Sequence, residues 1–202
     1  MNKGKIIIIS SPSGAGKTTI CKRILKLKRN IKLSISYTTR PKRVGERNGI
    51  DYHFVSQKKF NYLKKKNYFI ESAKVFGYYY GSPYGRVSKI ITNNEHILFD
   101  IDWQGATKLR KKFNKTDIID FFILPPNKKE LKNRLIKRAR ENKLEIKKRL
   151  SLAVKEIKHL NEYKYLIIND KINLTINNII KIIKHEEFIS SLNKDLRFWK
   201  KF

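Results

Sequence analysis

Residues 6 to 18 read Ile6-Ile7-Ile8-Ile9-Ser10-Ser11-Pro12-Ser13-Gly14-Ala15-Gly16-Lys17-Thr18, an apolar run that passes straight into a glycine turn ending in Lys-Thr. An unbroken aliphatic run of this length is a strand buried on both faces. The following residues, Thr19-Ile20-Cys21-Lys22-Arg23-Ile24-Leu25, have helical spacing, which predicts a helix over Lys17 to Leu27. Glycines at 14 and 16 let backbone N–H groups approach phosphate oxygens at angles that a side chain blocks. Lys17 then adds a point charge for the outer phosphates of ATP or GTP, and the Thr18 hydroxyl can ligate Mg²⁺. The pattern G-x-x-x-x-G-K-[ST] has a first glycine where this chain has Ser11. A glycine turn that merely caps a helix is the plainer reading; the strand before and the helix after favour the phosphate cradle.

Outward from this stretch, apolar runs and turn signals alternate. Strands are predicted over Lys5 to Ser10, Lys32 to Tyr37, His96 to Ile101, Ile118 to Leu124 and Tyr163 to Ile168. Helices are predicted over Lys17 to Leu27, Gln104 to Phe113, Lys128 to Arg140, Leu144 to Leu160 and Leu174 to Phe188. Strands separated by helices imply a parallel sheet covered on both faces, an α/β fold. Between Thr38 and Asn94 the rhythm gives way to short aromatic strands around Asp51 to Val55, Phe69 to Ser72 and Tyr78 to Tyr80, with glycines at the turns. This is the signature of an inserted subdomain. A second interruption, Asn127 to Arg149, carries no strand and is dense in Arg and Lys, which suits a mobile helical flap over phosphates.

The chain has 202 residues, enough for one sizeable core, and a single cysteine, Cys21, so no internal disulfide is possible. A reducing compartment is expected, with Cys21 packing on its helix. The first residues run directly into a strand, so neither a signal peptide nor a membrane span is expected, and a soluble, cytoplasmic protein follows. The net charge of +30 invites a nucleic-acid reading. Its lysines are scattered along the whole chain rather than gathered in one stripe, which speaks for solvated faces and against a dedicated nucleic-acid site. The four histidines lack ligand spacing, and no zinc site is expected.

Arg40-Pro41-Lys42-Arg43, preceded by Ser36, Thr38 and Thr39, offers two planar guanidinium forks suited to bidentate phosphate contact; an ordinary charged loop is the alternative. Further on, Tyr52, Glu71, Tyr80 and Ser82 can each serve a purine nucleotide. A carboxylate only accepts, so Glu71 matches the N1–H and N2 amino donors of guanine, while the Ser82 hydroxyl can donate to O6. Adenine presents the wrong pattern, and in sites of this kind the mismatch reaches about 10⁴ to 10⁵-fold. Tyr78-Tyr79-Tyr80 also fits a half-buried strand with no further role.

The chain resembles the guanylate kinase family nearly end to end. The resemblance is carried by Ser13 to Thr18, Ser36 to Arg40 with Arg43 and Gly45-Glu46, and Asn48-Gly49 before Asp51-Tyr52. It continues through Phe69-Ile70-Glu71, Phe76-Gly77 with Tyr79 to Ser82, Asp100 to Gly105, Pro125-Pro126, arginines 134, 138 and 149, and Asn169-Asp170. It implies an ATP:GMP phosphotransferase with a P-loop NTPase-like, three-layer fold: a core of residues 1–35, 96–126 and 150–202, a GMP-binding region 36–95 and a helical lid 127–149. The implied ATP residues are Ser13, Gly14, Ala15, Gly16, Lys17, Thr18, Thr19, Arg134, Asn169 and Asp170. Those for GMP are Ser36, Arg40, Arg43, Tyr52, Glu71, Tyr80, Ser82 and Asp100. Lys17, Arg43, Arg138 and Arg149 are the implied catalytic set, and Thr18 and Asp100 hold Mg²⁺, directly or through water. Asp100, at a strand end, equally suits a helix cap.

The implied reaction serves purine nucleotide metabolism and GMP recycling, with dGMP as a further acceptor, and leaves monomer and homo-oligomer equally open. Ser11 replaces the usual Gly or Ala, a sterically mild change that the loop is expected to survive. With Ala139 in place of a frequent lid glycine and Glu141 to Glu145 in place of a usually acidic stretch, the lid is expected to close with a different balance. Two other classes of function compete: a silent guanylate-kinase-like interaction module, and a nucleic-acid binder exploiting the charge. Neither accounts for an intact phosphate loop together with Glu71.

Overall fold

The isoleucine run forms β1 (Ile6–Ser10), the middle strand of a parallel five-stranded sheet whose other members are β2 (Ile31–Leu33), β7 (His96–Asp100), β8 (Ile118–Leu124) and β9 (Tyr165–Ile168). The computed structural model describes residues 4–139 and 143–199, excepting the side chains of 137–139, 143–145, 148 and 193–199. Spatial order in the sheet is β2-β7-β1-β8-β9. Ile6 lies level with Ile97 on one side and Ile118 on the other.

Alternation along β1 feeds two cores. Ile7 and Ile9 face a cluster with Ile20 and Ile24 of α1 (Lys17–Leu27) and Ile176, Ile179 and Ile183 of α7 (Ile172–Trp199). Ile6 and Ile8 face the opposite cluster, with Val87 and Ile90 of α3 (Tyr84–Thr92) and Ala106 and Leu109 of α4 (Trp103–Arg110). Helices therefore cover both faces, and the fold is α/β with three layers, as the alternating pattern predicts. The strand order places β1 between neighbours reached in opposite directions along the sheet. Such a switch point opens a crevice beyond the carboxyl ends of the strands.

A second sheet, ordered β4-β3-β6-β5, is built from β3 (Tyr37–Thr38), β4 (His53–Phe54), β5 (Phe69–Val75) and β6 (Tyr78–Pro83). The single strand expected over Lys32 to Tyr37 is thus two strands in different sheets. Ser34 N still donates to Leu98 O of β7, whereas Ser36 O accepts from His53 N. Period-two alternation is the same in either sheet, so only the bonding partners reveal the change. Helices α2 (Gln57–Lys65) and α3 are absent from the sequence expectation. Yet α2 has a readable start: the Ser56 hydroxyl accepts from Lys59 N at 3.2 Å, and Phe60 is its one buried residue, stacked on Phe69 at 4.7 Å.

Helices α5 (Lys128–Ala139) and α6 (Lys143–Ile157) pack on each other through Leu131, Leu135 and Ala153. Helix α7 runs well past Phe188, since no Pro or Gly follows to stop it. Among the described residues no helix is long and apolar enough to cross a membrane.

Candidate active site

Gly14 and Gly16 have φ of 92° and 96°. Both lie in the left-handed region, where a Cβ is strained. Gly16 opens α1 without any capping side chain, and the first turn of α1 contains no acid. The unpaired N–H groups and positive end of the helix dipole are therefore left for an anion. Behind the loop, Asn169 is buried and its Nδ2 donates to Ala15 O at 2.7 Å, while its Oδ1 accepts from Thr175. A Cβ on Gly16 would lie 2.6 Å from that same Nδ2. Glycine is thus required here twice over.

Lys17 Nζ is 2.8 Å from Asp100 Oδ1 and donates to Ile101 O at 2.9 Å. Burial disfavours its charge, but the Asp100 carboxylate more than offsets this, and the ammonium is held well above its ordinary pKa. Tyr52 is likewise raised, by burial first and by Asp100 second. Ser13 N, on the other flank of the loop, donates to Glu156 Oε2 of α6 at 3.1 Å.

Across from the loop, the second sheet presents a buried carboxylate. Glu71 is 5% exposed; its Oε1 accepts from the Ser82 hydroxyl at 2.6 Å, and Ser82 Oγ is 3.1 Å from Ser36 Oγ. Burial chiefly, and Asp102 in part, push Glu71 up to about 7, against the bond from Ser82. The Arg40 guanidinium chelates Glu46, with Nη2 at 2.7 and 3.0 Å from the two carboxylate oxygens, and lies over the rings of Tyr52 and Phe54 at 5.5 and 5.7 Å. Tyr52 and Tyr80 meet edge to face at 6.0 Å. Arg43 is exposed at the rim, its backbone N–H bonded to Glu46 Oε2.

One cavity of about 710 Å³ joins the two halves. Of the expected residues, Ser13, Gly14, Gly16, Lys17, Thr18, Thr19, Ser36, Arg40, Arg43, Tyr52, Glu71, Tyr80, Asp100 and Arg149 line it. Ala15 and Ser82 are fully buried beneath the surface. The one hydroxyl proton of Ser82 goes to Glu71, so Ser82 orients the carboxylate rather than facing the cavity. Arg134, bonded to Glu130 and to Asn169 O, packs beside the back of the loop; Asp170 is exposed next to it. The side chain of Arg138 on α5 lies outside the described residues, as does that of Ala139. Ser11 is buried with its hydroxyl bonded to Pro12 O, a local bond that the loop accommodates.

Five further charged residues on the cavity wall carry no sequence expectation of their own. Glu46 holds Arg40; Asp102 caps α4 through Gly105 N at 3.0 Å; Asp51 pairs with Lys22 of α1 at 2.5 Å; Glu156 meets the loop. For Asp102 the signal was available, an acid three residues before Gly105 at a helix start. Glu46 acts within its own loop, six residues from Arg40, while Asp51, Lys22 and Glu156 depend on contacts between distant segments, which leave no local pattern.

Comparison with known proteins agrees with this geometry. The family model described as guanylate kinase matches residues 3–186. A guanylate kinase of Rickettsia prowazekii is 46% identical over 185 residues, covering 92% of this chain and 93% of the relative. One from Agrobacterium fabrum is 43% identical over 184 residues, covering 91% and 83%. The crystal structure of guanylate kinase from Anaplasma phagocytophilum superposes with a TM-score of 0.78 at 34% identity, covering 92% of this chain and 87% of that one. A phosphate loop and a buried carboxyl group lining one cavity thus occur in a chain that belongs to the guanylate kinase family, ATP-dependent nucleoside monophosphate kinases that phosphorylate GMP to GDP.

Proposed function

We propose that the two nucleotides share this cavity, ATP with its phosphates on the Ser13 to Thr19 loop and GMP on the second sheet. The observation that carries this reading is that the loop and Glu71, which come from two different sheets, line one cavity. In this reading Arg40, Arg43, Tyr52 and Tyr80 hold the acceptor phosphate, whereas Ser36, expected there too, has its hydroxyl 3.1 Å from Ser82 Oγ and belongs with Glu71 at the base end. Glu71, oriented by Ser82, accepts from the N1–H and N2 amino group of guanine. Arg134, Asn169 and Asp170 flank the ATP side, with Asn169 acting through the loop backbone. The division into a core, a GMP-binding region 36–95 and a lid 127–149 goes with it, and dGMP, which carries the same base and phosphate, serves as a further acceptor.

No protein nucleophile is required, because the acceptor is the GMP phosphate, largely dianionic at neutral pH like other phosphate monoesters of second pKa near 6. The chain aligns the two phosphates and balances charge as the γ-phosphoryl passes in line through a loose transition state. Lys17 neutralises the donor oxygens, and Arg43, Arg149 and Arg138 neutralise the transferring group. Thr18, exposed at the loop end, and Asp100 are oxygen donors on the cavity and fit a Mg²⁺ ion, which takes one or two protein oxygens along with phosphates and water. Held there by Thr18 and Asp100, such an ion would supply positive charge to offset the charge developing on the phosphates.

A coupled assay of ADP formation tests the reading with GMP, dGMP, AMP, UMP and dTMP as acceptors. Turnover is expected with GMP and dGMP alone. Turnover with AMP overturns the assignment of Glu71.

A further inference from the structure

The phosphate loop is braced from outside by side chains of two remote segments. Asn169, just after β9, holds Ala15 O. Glu156, in the last turn of α6, accepts from Ser13 N at 3.1 Å. Seven residues before Glu156 on the same helix is Arg149, so both side chains fall on one face, and both line the cavity. The Arg149 guanidinium lies 5.7 Å over the ring of Phe76, at the tip of the β5–β6 hairpin where Phe76 takes a φ of 52°. Helix α6 therefore touches the loop near one end and the acceptor-side hairpin through Arg149.

A loop with two glycines at positive φ has large conformational freedom to lose when it closes on phosphate. An outside contact on Ser13 removes part of that freedom in advance, which favours binding by preorganisation. The groups facing Glu156 are the Ser13 N–H and Lys17 on the loop side and Asp102 from α4; burial dominates them and pushes the carboxyl up to about 7.

We propose that Glu156 is a positioning residue for the ATP half of the site, tying Ser13 to α6 so that the phosphate loop and Arg149 keep one register. The proposal rests on the reading that the loop holds ATP. Steady-state kinetics with ATP and GMP varied separately tests it. Glu156→Ala is expected to raise KM for ATP by roughly tenfold, the equivalent of one charged hydrogen bond, with KM for GMP unchanged within about twofold. Glu156→Gln, which keeps an acceptor oxygen, restores most of the ATP affinity. Glu156→Asp, too short to reach, behaves like the alanine variant and serves if that variant does not fold. An unchanged KM for ATP, an equal rise for both substrates, or a glutamine variant no better than alanine overturns the proposal. Lys17→Ala, assayed alongside, separates the two levels: if it stays active the loop reading itself fails, whereas an inactive Lys17→Ala beside a normal Glu156→Ala defeats only the brace.

Discussion

The Lys17 ammonium is paired with the Asp100 carboxylate at 2.8 Å, where the phosphate loop and β7 end on the same cavity. The pair keeps the lysine charged despite its burial and aims it at the space where the donor phosphates are proposed to sit. Lys17→Ala is expected to lower kcat by at least roughly 100-fold, the scale of losing one preorganised charge at a reacting phosphoryl group. Its far-UV circular dichroism should match wild type, since α1 keeps its other contacts. Wild-type turnover in this variant refutes the cradle.

Glu71 sits near 7 because burial opposes its charge, and the guanine donors favour the ionised form. GMP binding should therefore release a proton near neutral pH, and GMP affinity should rise with pH through about 7 and then level off. Glu71→Gln replaces one acceptor oxygen by a donor. It is expected to raise KM for GMP about 10 to 100-fold, leave KM for ATP unchanged and remove the Glu71 part of the pH dependence. Titration calorimetry of GMP in two buffers of different ionisation enthalpy measures the proton directly.

Arg40 is fixed by both oxygens of Glu46 and by two aromatic faces. Lysine has the charge but not the planar fork. Arg40→Lys should raise KM for GMP by roughly tenfold with little change for ATP. Equal effects on both nucleotides in steady-state kinetics would place Arg40 elsewhere in the reaction.

Gly16 combines a φ of 96° with a position where a Cβ would lie only 2.6 Å from Asn169 Nδ2. Gly16→Ala should lower stability by about 1–3 kcal/mol and abolish detectable ATP binding. Adding Asn169→Ala relieves the clash but not the dihedral strain, so thermal denaturation of the double variant should show only partial recovery.

Glu71 and Glu156 both titrate near 7 when folded and near the ordinary 4.5 when unfolded. Between those values the folded chain holds protons that the unfolded chain has lost, so their joint contribution to stability falls as pH rises from about 4.5 to 7 and is flat above. A tenfold difference in proton affinity between the two states corresponds to about 1.4 kcal/mol. The Tm of Glu71→Gln/Glu156→Gln relative to wild type should therefore increase across that window, and a constant difference contradicts the assignment. Glu46 and Asp51, paired with Arg40 and Lys22 and held below the ordinary carboxylate range, act with the opposite sign at lower pH.

Much of the fold is written locally. Ile6 to Ile9 could only be a strand buried on both sides, Gly14 to Thr18 could only turn tightly into a helix, and α1 and β8 fall on the residues that periodicity predicts. The nucleotide loop, Arg40 and Glu71 were likewise visible as residue types, because their chemistry is carried by single side chains. What hydrophobic alternation could not encode was which sheet a strand joins: Leu33 and Tyr37 lie in one apparent run but bond to different partners. Nor could it show that Ser82 spends its proton on Glu71, that Asn169 lies under the loop, or that Glu156 reaches Ser13 across 143 positions of chain. Local conformation depends on neighbours in sequence and was determined by the sequence read alone. The partners of each polar group, and so the division of the cavity wall into residues that face it and residues that orient them, depend on segments brought together by burial, and only the tertiary structure decided them.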